Sequence, residues 1–162
     1  MTYSIIGSEN IGAALARQFS RAGVNVTIAN TRGAHTLAPL VQELGGAMVA
    51  GTIKDAVQAD IIFLALPFAA VETFGRTRDQ WRGKIVIDAT NAYHVPPGYL
   101  AGRLSSDVVA AALPGAAVVK AFNHLPAAVL ARDPSQNGGR RVVFISSNDD
   151  DAARRGRLVN RN

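Results

Sequence analysis

Short apolar, β-branched runs recur along the chain at Tyr3–Ile6, Val24–Ala29, Ile61–Leu66, Ile85–Ile87, Ala117–Val119 and Val142–Ile145. Between the early runs the apolar spacing changes. Ile11, Leu15, Phe19 and Ala22, and then Leu37, Leu40, Val41 and Leu44, recur every three or four positions, as on one face of a helix. Gly23 and Gly45 stand where such helices stop. Strands alternating with helices in this way predict βαβ units and an α/β fold, a doubly wound, mainly parallel sheet with helices on both faces. Ile61-Ile62-Phe63-Leu64-Ala65-Leu66 is apolar throughout, as a strand covered on both sides must be.

Pro96–Gly98 and Pro134–Gly139 read as surface loops, and no linker divides the chain. Residues 1–147 are therefore expected to form one domain, followed by a short basic tail at 148–162. Asn148-Asp149-Asp150-Asp151 could open a helix, with acids at its dipole-positive end. Gly156 and the scarcity of apolar residues in this segment argue against a well-packed final helix.

Composition narrows the function classes. With 162 residues, 48% of them hydrophobic, the chain can bury a core without disulfides or a structural metal. The absence of cysteine excludes thiol catalysis, Cys-ligated zinc and iron–sulfur clusters. The formal charge of +5 and pI near 10.2 raise nucleic-acid binding as an idea, but four of the 17 bases (Arg154, Arg155, Arg157 and Arg161) fall in the last eleven residues. The rest carries thirteen bases against twelve acids, a net of +1, so a nucleic-acid face is not expected. The longest apolar run, Ile61–Pro67, is far short of the ~20 residues of a membrane span. Met1 opens a strand-like segment with no basic leader, and a cytoplasmic protein without a membrane partner is expected.

The chemistry concentrates in the first loop. Strand Tyr3–Ile6 runs into Gly7-Ser8-Glu9-Asn10-Ile11-Gly12, and a helix follows at once. This is the spacing of a dinucleotide fingerprint, whose glycines allow a tight turn, approach of a pyrophosphate and close helix–sheet packing. Amides at the helix start and the helix dipole would hold the phosphates. Glu9 occupies the middle glycine position, where a carboxylate ~4 Å from a phosphate charge costs about 4 kcal/mol at an effective dielectric near 20. Its side chain must point away, find a cation, or weaken the site. The plain alternative is a helix start capped by Asn10 with no ligand.

The end of the second strand adds Asn30-Thr31-Arg32-Gly33. Enzymes that take NAD usually place an acid there for the ribose hydroxyls, whereas a hydroxyl and an arginine suit the 2′-phosphate of NADP. Arg32 offers bidentate charge-assisted bonds and Thr31 one more, and the alternative is an ordinary solvated arginine. No Ser-His-Asp spacing, HExxH helix, metal-ligand spacing or P-loop is present, which leaves hydrolase, metalloprotease and kinase readings without support. Asp88 ends a buried strand, where an aspartate more often satisfies local backbone donors than acts in catalysis.

Taken together, Tyr3–Arg32, Leu64-Ala65-Leu66-Pro67, Lys84–Asn91 and Val118-Val119-Lys120-Ala121-Phe122-Asn123 resemble the NADP-binding Rossmann domain of the coenzyme F420-dependent NADP oxidoreductases, over about residues 2–147. The resemblance implies NADP(H) on the Gly-rich loop (Gly7, Ser8, Asn10, Ile11 and Gly12, with Glu9 in place of a glycine) and its 2′-phosphate on Thr31 and Arg32. Where archaeal members commonly carry a lysine four residues beyond the arginine, this sequence has Thr36. Leu66 and Pro67 match the turn beside the nicotinamide ribose, and Asn91 and Ala121 match the nicotinamide end. Asn123 and His124 follow where a flavin analogue stacks, and His124 is the one candidate, set against a surface role, for protonating that partner. The implied activity is hydride transfer between NADP(H) and a flavin-like acceptor such as coenzyme F420 or a flavin, by a homodimer. Hydride transfer is mainly positioning, which suits a chain poor in catalytic acids and bases. The alternative is a non-catalytic NADP-binding or sensing module, prompted by Glu9 and by the expectation, from the resemblance, that the family's C-terminal part is missing.

Overall fold

A computed structural model describes residues 1–136 and 138–159. Asn137, in the expected 134–139 loop, and residues 160–162 of the expected basic tail, Arg161 among them, lie outside the described residues. A seven-stranded sheet runs in the order β3 (Met48–Ala50), β2 (Val26–Ala29), β1 (Tyr3–Ile6), β4 (Ile61–Leu64), β5 (Ile85–Asp88), β6 (Ala117–Ala121), β9 (Ile145–Ser146). All neighbours pair in parallel except β6 and β9. The expected α/β, doubly wound class is observed.

Side-chain alternation divides the core. Ile5, Ile28, Phe63, Ile87 and Val119 face one layer and meet Leu15 and Phe19 of α1 (Asn10–Arg21). Ile6, Ile62, Leu64 and Val86 face the other, against α3 (Ile53–Ala56), α4 (Val71–Gly75) and α5 (Ser105–Ala112). In the first layer the Phe19 ring meets Phe63 edge-on at 5.0 Å between centroids, a favoured aromatic geometry. In the second, Trp81 is fully buried and its indole N–H donates to the Gly75 carbonyl at 3.0 Å. The helices α2 (Ala38–Leu44) and α6 (Ala127–Leu130) complete the first layer.

One strand adds to the expected runs, and two local expectations change. Met48–Ala50 pairs as the edge strand β3, too short and too exposed at Val49 to show an alternation signal. The 134–139 loop is the tip of a minimal hairpin, in which β7 (Ser135–Gln136) pairs antiparallel with β8 (Gly139–Arg140). The final segment forms α7 (Asp150–Val159), which packs on the sheet. The feature read as helix-breaking is what allows the contact. Ala152 is buried, and a methyl on Gly156 would lie 3.3 Å from Val119 and 3.8 Å from Ile87, so small residues let the helix sit close to β6. Among the described residues no helix is long and apolar enough to cross a membrane.

Candidate nucleotide site

Strand order sets the site. After β1 the chain turns towards β2 and β3, and β4 lies on the opposite flank of β1, so the loops leaving β1 and β4 diverge at the carboxyl edge. Open α/β sheets bind ligands at such a switch point. The first loop is held tightly there. The Gly7 amide donates to the Ala29 carbonyl at 2.8 Å, and Gly7 has φ +106. A Cβ on Gly7 would fall onto the Ala65 carbonyl, and one on Gly12 onto the Gly7 carbonyl. Both glycines are thus required by backbone packing, and they bring the start of α1 close to the strand ends.

The helix start itself is free of a cap. Glu9 is the N-cap residue, in extended conformation, and its side chain makes no capping bond. Asn10 is the first helical residue, which corrects the reading of it as the cap. The first amides of a twelve-residue helix therefore face out of its end without a side-chain partner.

The Glu9 side chain has found a cation. Its Oε1 accepts from the Arg32 guanidinium at 2.7 Å, joining the first loop to the turn after β2. Asn30, which sequence reasoning passed over, organises that turn. Its Oδ1 accepts the Arg32 amide at 3.0 Å, while its Nδ2 donates to Ser8 Oγ at 2.9 Å and Thr36 Oγ1 at 3.0 Å. The signal available was the residue type alone, because an asparagine two residues before an amide it can accept is the pattern of an Asx turn. Ser8 Oγ also receives Arg32 Nη2 at 3.4 Å.

Two cavities meet at Leu66 and Pro67. One, of about 310 Å³, is bordered by Gly7, Ser8 and Glu9 on one side and Thr31 and Arg32 on the other. Thr73, Phe74 and Thr77, on or just beyond α4, close its floor and had no sequence signature. The other, of about 680 Å³, brings Asn10 and Ile11 together with Asn91, Asn123 and His124. Asn91 Nδ2 donates to the Asn123 carbonyl at 2.7 Å, which ties the loops after β5 and β6. Gly12 and Ala121 border neither cavity. Gly12 serves packing, and Ala121 is buried in the core at the end of β6.

Beneath Asn91 lies a buried charge network. Asp88 accepts from the Thr90 amide at 2.9 Å, the Thr90 hydroxyl at 2.7 Å and Lys120 Nζ at 2.8 Å. Lys120 also donates to the Thr90 carbonyl at 2.6 Å. Asp88 thus holds the β5 exit in shape, as anticipated, with a cation as well as backbone donors. His124 is exposed, and its Nε2 accepts the Phe144 amide at 3.3 Å. Among the described residues no three His, Asp or Glu side chains gather as a metal site.

Residues 2–92 match the family described as NADP oxidoreductase, coenzyme F420-dependent. The chain belongs to this family. Its fold agrees with that of a hypothetical protein, SMa0349, from Sinorhizobium meliloti, at TM-score 0.93 and 44% identity over 99% of this chain and 80% of that one. It is also similar in fold to a proposed F420-dependent NADP reductase from Arthrobacter sp. FB24, at TM-score 0.77 and 22% identity over 98% and 79% of the two chains. A reductive aminase from Aspergillus terreus, solved with NADPH4, cyclohexanone and allyl amine, matches at TM-score 0.61 and 26% identity over 78% of this chain and 42% of the enzyme. No curated protein matches the chain. Members of the family are NADP-dependent oxidoreductases, and the matched residues 2–92 contain the first loop, the Arg32 turn and Leu66-Pro67.

Proposed function

We propose that the chain binds NADP(H) across the two cavities and transfers hydride between its nicotinamide and a flavin-like acceptor such as coenzyme F420. The observation that carries this reading is the convergence of an uncapped helix start, a glycine turn and Arg32 on one cavity at the switch point. Gly7 and Gly12 keep side chains out of the turn over which a pyrophosphate would lie, and the amides of Ser8 to Ile11 would hold it. Thr31 and Arg32 would take the 2′-phosphate, with Asn30 fixing the backbone that presents them. Leu66 and Pro67 would border the nicotinamide ribose between the cavities, and Asn91 with Asn123 would border the ring.

When bound, NADPH supplies the hydride. The chain's own work is alignment and exclusion of water. Asn123 and His124 line the second cavity, and His124 is the group there that could deliver the proton accompanying hydride to the acceptor. A homodimer is part of the same proposal and is checked by sedimentation velocity. In the activity test, NADPH is mixed with protein and either coenzyme F420 or FMN, and loss of reduced-nicotinamide absorbance is followed. Oxidation that depends on both protein and acceptor is expected. A second reading, a non-catalytic NADP-binding module, draws on the Glu9–Arg32 pair, and nucleotide binding without turnover on any flavin acceptor would establish it instead.

A further inference from the structure

We propose that Glu9 sets nucleotide selectivity at this site, by occupying the cation that a 2′-phosphate needs and by standing in for the ribose-binding acid that the second strand lacks. The inference rests on the nucleotide-site reading above and goes further, to which nucleotides the site takes.

The Glu9–Arg32 contact puts one guanidinium in two roles. Arg32 Nη1 is held by Glu9 Oε1 at 2.7 Å, and Arg32 Nη2 is 3.4 Å from Ser8 Oγ. A 2′-phosphate on the Thr31-Arg32 turn must displace the carboxylate from that guanidinium or bind beside it as a like charge. Either way Glu9 penalises the phosphorylated nucleotide. A ribose without the phosphate meets the opposite situation. Its 2′- and 3′-hydroxyls are donors, and the end of β2, Ala29-Asn30-Thr31-Arg32, offers them no carboxylate of its own. Asn30 Oδ1 already accepts from the Arg32 amide, and the Thr36 hydroxyl lies 3.3 Å from it. Through its pairing with Arg32, Glu9 carries a carboxylate from the first loop to this turn, where NAD enzymes keep their acid.

The pair is built to be exchanged. Glu9 is 68% and Arg32 56% exposed, so neither charge depends on the other for burial. Asn30 and Thr36 hold the turn independently: Thr36 Oγ1 accepts from Asn30 and donates to the Gly33 carbonyl at 2.8 Å. The backbone that presents Arg32 therefore stays in place whether or not Glu9 is engaged. The carboxylate can leave for a phosphate or remain for a ribose. On this account the protein accepts both NADP(H) and NAD(H), with a far smaller preference for NADP(H) than the Thr31-Arg32 turn alone would confer.

The test is calorimetric titration of NADP⁺ and NAD⁺ into the full chain and into Glu9→Gln, which keeps the side chain's size and removes its charge. Circular dichroism on both proteins establishes that the exposed substitution leaves the fold intact. In the unaltered chain NAD⁺ is expected to bind within about tenfold of NADP⁺. In Glu9→Gln the NADP⁺ affinity is expected to rise about tenfold and the NAD⁺ affinity to fall, so that the selectivity ratio widens, and unchanged NAD⁺ affinity would overturn the ribose-binding role. Equal tightening of both nucleotides would show that Glu9 acts on the shared pyrophosphate and would overturn the selectivity role while leaving the nucleotide site in place. Unchanged NADP⁺ affinity would overturn it too. Binding of neither nucleotide to either protein would remove the nucleotide-site reading, and this inference with it.

Discussion

Two carboxylate–cation pairs stand at the carboxyl edge of the same sheet, and their surroundings give them different work. Asp88 and Lys120 pair across neighbouring strands, are 0% and 14% exposed, and share Thr90 as a common partner. Both Asp88 oxygens accept from protein donors and Lys120 donates to Asp88 and the Thr90 carbonyl, so the pair belongs to the structure and shapes the loop that carries Asn91. Glu9 and Arg32 come from two loops, are mostly exposed, and hold each other with a single close contact. Burial commits a charge pair to the fold, because separating its members leaves an uncompensated ion in a poor solvent. Exposure leaves a pair available to a ligand, because water compensates either member when the other departs.

The largest effect should come from breaking the buried pair. Lys120→Met strands the Asp88 carboxylate and is expected to lower unfolding free energy by about 3–5 kcal/mol in chemical denaturation. Adding Asp88→Asn should recover part of that loss, because the stranded charge is then gone. Arg32→Ala should do the reverse. Folding stability should change by less than about 1 kcal/mol, while NADP⁺ binding weakens by about 1.5–3 kcal/mol, roughly ten- to hundredfold in calorimetry. Equal losses for NADP⁺ and NAD⁺ would count against a 2′-phosphate contact.

Salt sharpens the contrast further. Between about 0.05 and 0.5 M monovalent salt, NADP⁺ affinity should fall several-fold, while the contribution of the Asp88–Lys120 pair to stability, measured as the Lys120→Met difference, should hardly move. The smallest effect concerns a third carboxylate. Asp60 accepts from the Thr2 amide at 2.8 Å and the Thr2 hydroxyl at 3.1 Å, and these bonds hold its carboxyl below the ordinary aspartate value. A depressed folded-state pKa gives stability that is present above the unfolded value and lost as pH falls through the folded one. Asp60→Asn should therefore flatten the acid side of the stability–pH curve slightly and leave neutral-pH nucleotide binding unchanged.

How much of this was legible in the sequence depended on whether a signal was local. The parallel core was, since runs such as Ile61–Leu64 are apolar on both faces. The glycine turn was, since its residues are adjacent in sequence and its spacing is fixed by packing that any such turn shares. The destination of Glu9 was not. Three outcomes were open, and the choice among them depended on Arg32, 23 residues away, arriving within 2.7 Å. Lys120 could not be read as the partner of Asp88 for the same reason, because the register between β5 and β6 brings them together. Asn30 was missed because its bond to Ser8 reaches a loop 22 residues away, and α7 because helical spacing alone does not tell that a glycine allows close approach. Ala121 was placed at the site by its position in a motif, but the alternation along β6 turns it into the core.

A crystal structure grown at saturating NADP⁺ tests the central claim most directly. The account expects the pyrophosphate over the amides of Ser8 to Ile11, the 2′-phosphate on Thr31 and Arg32 with Glu9 displaced from the guanidinium, and the nicotinamide between Pro67 and Asn91. A nucleotide bound elsewhere, or none bound at a concentration that saturates a family member, would contradict it.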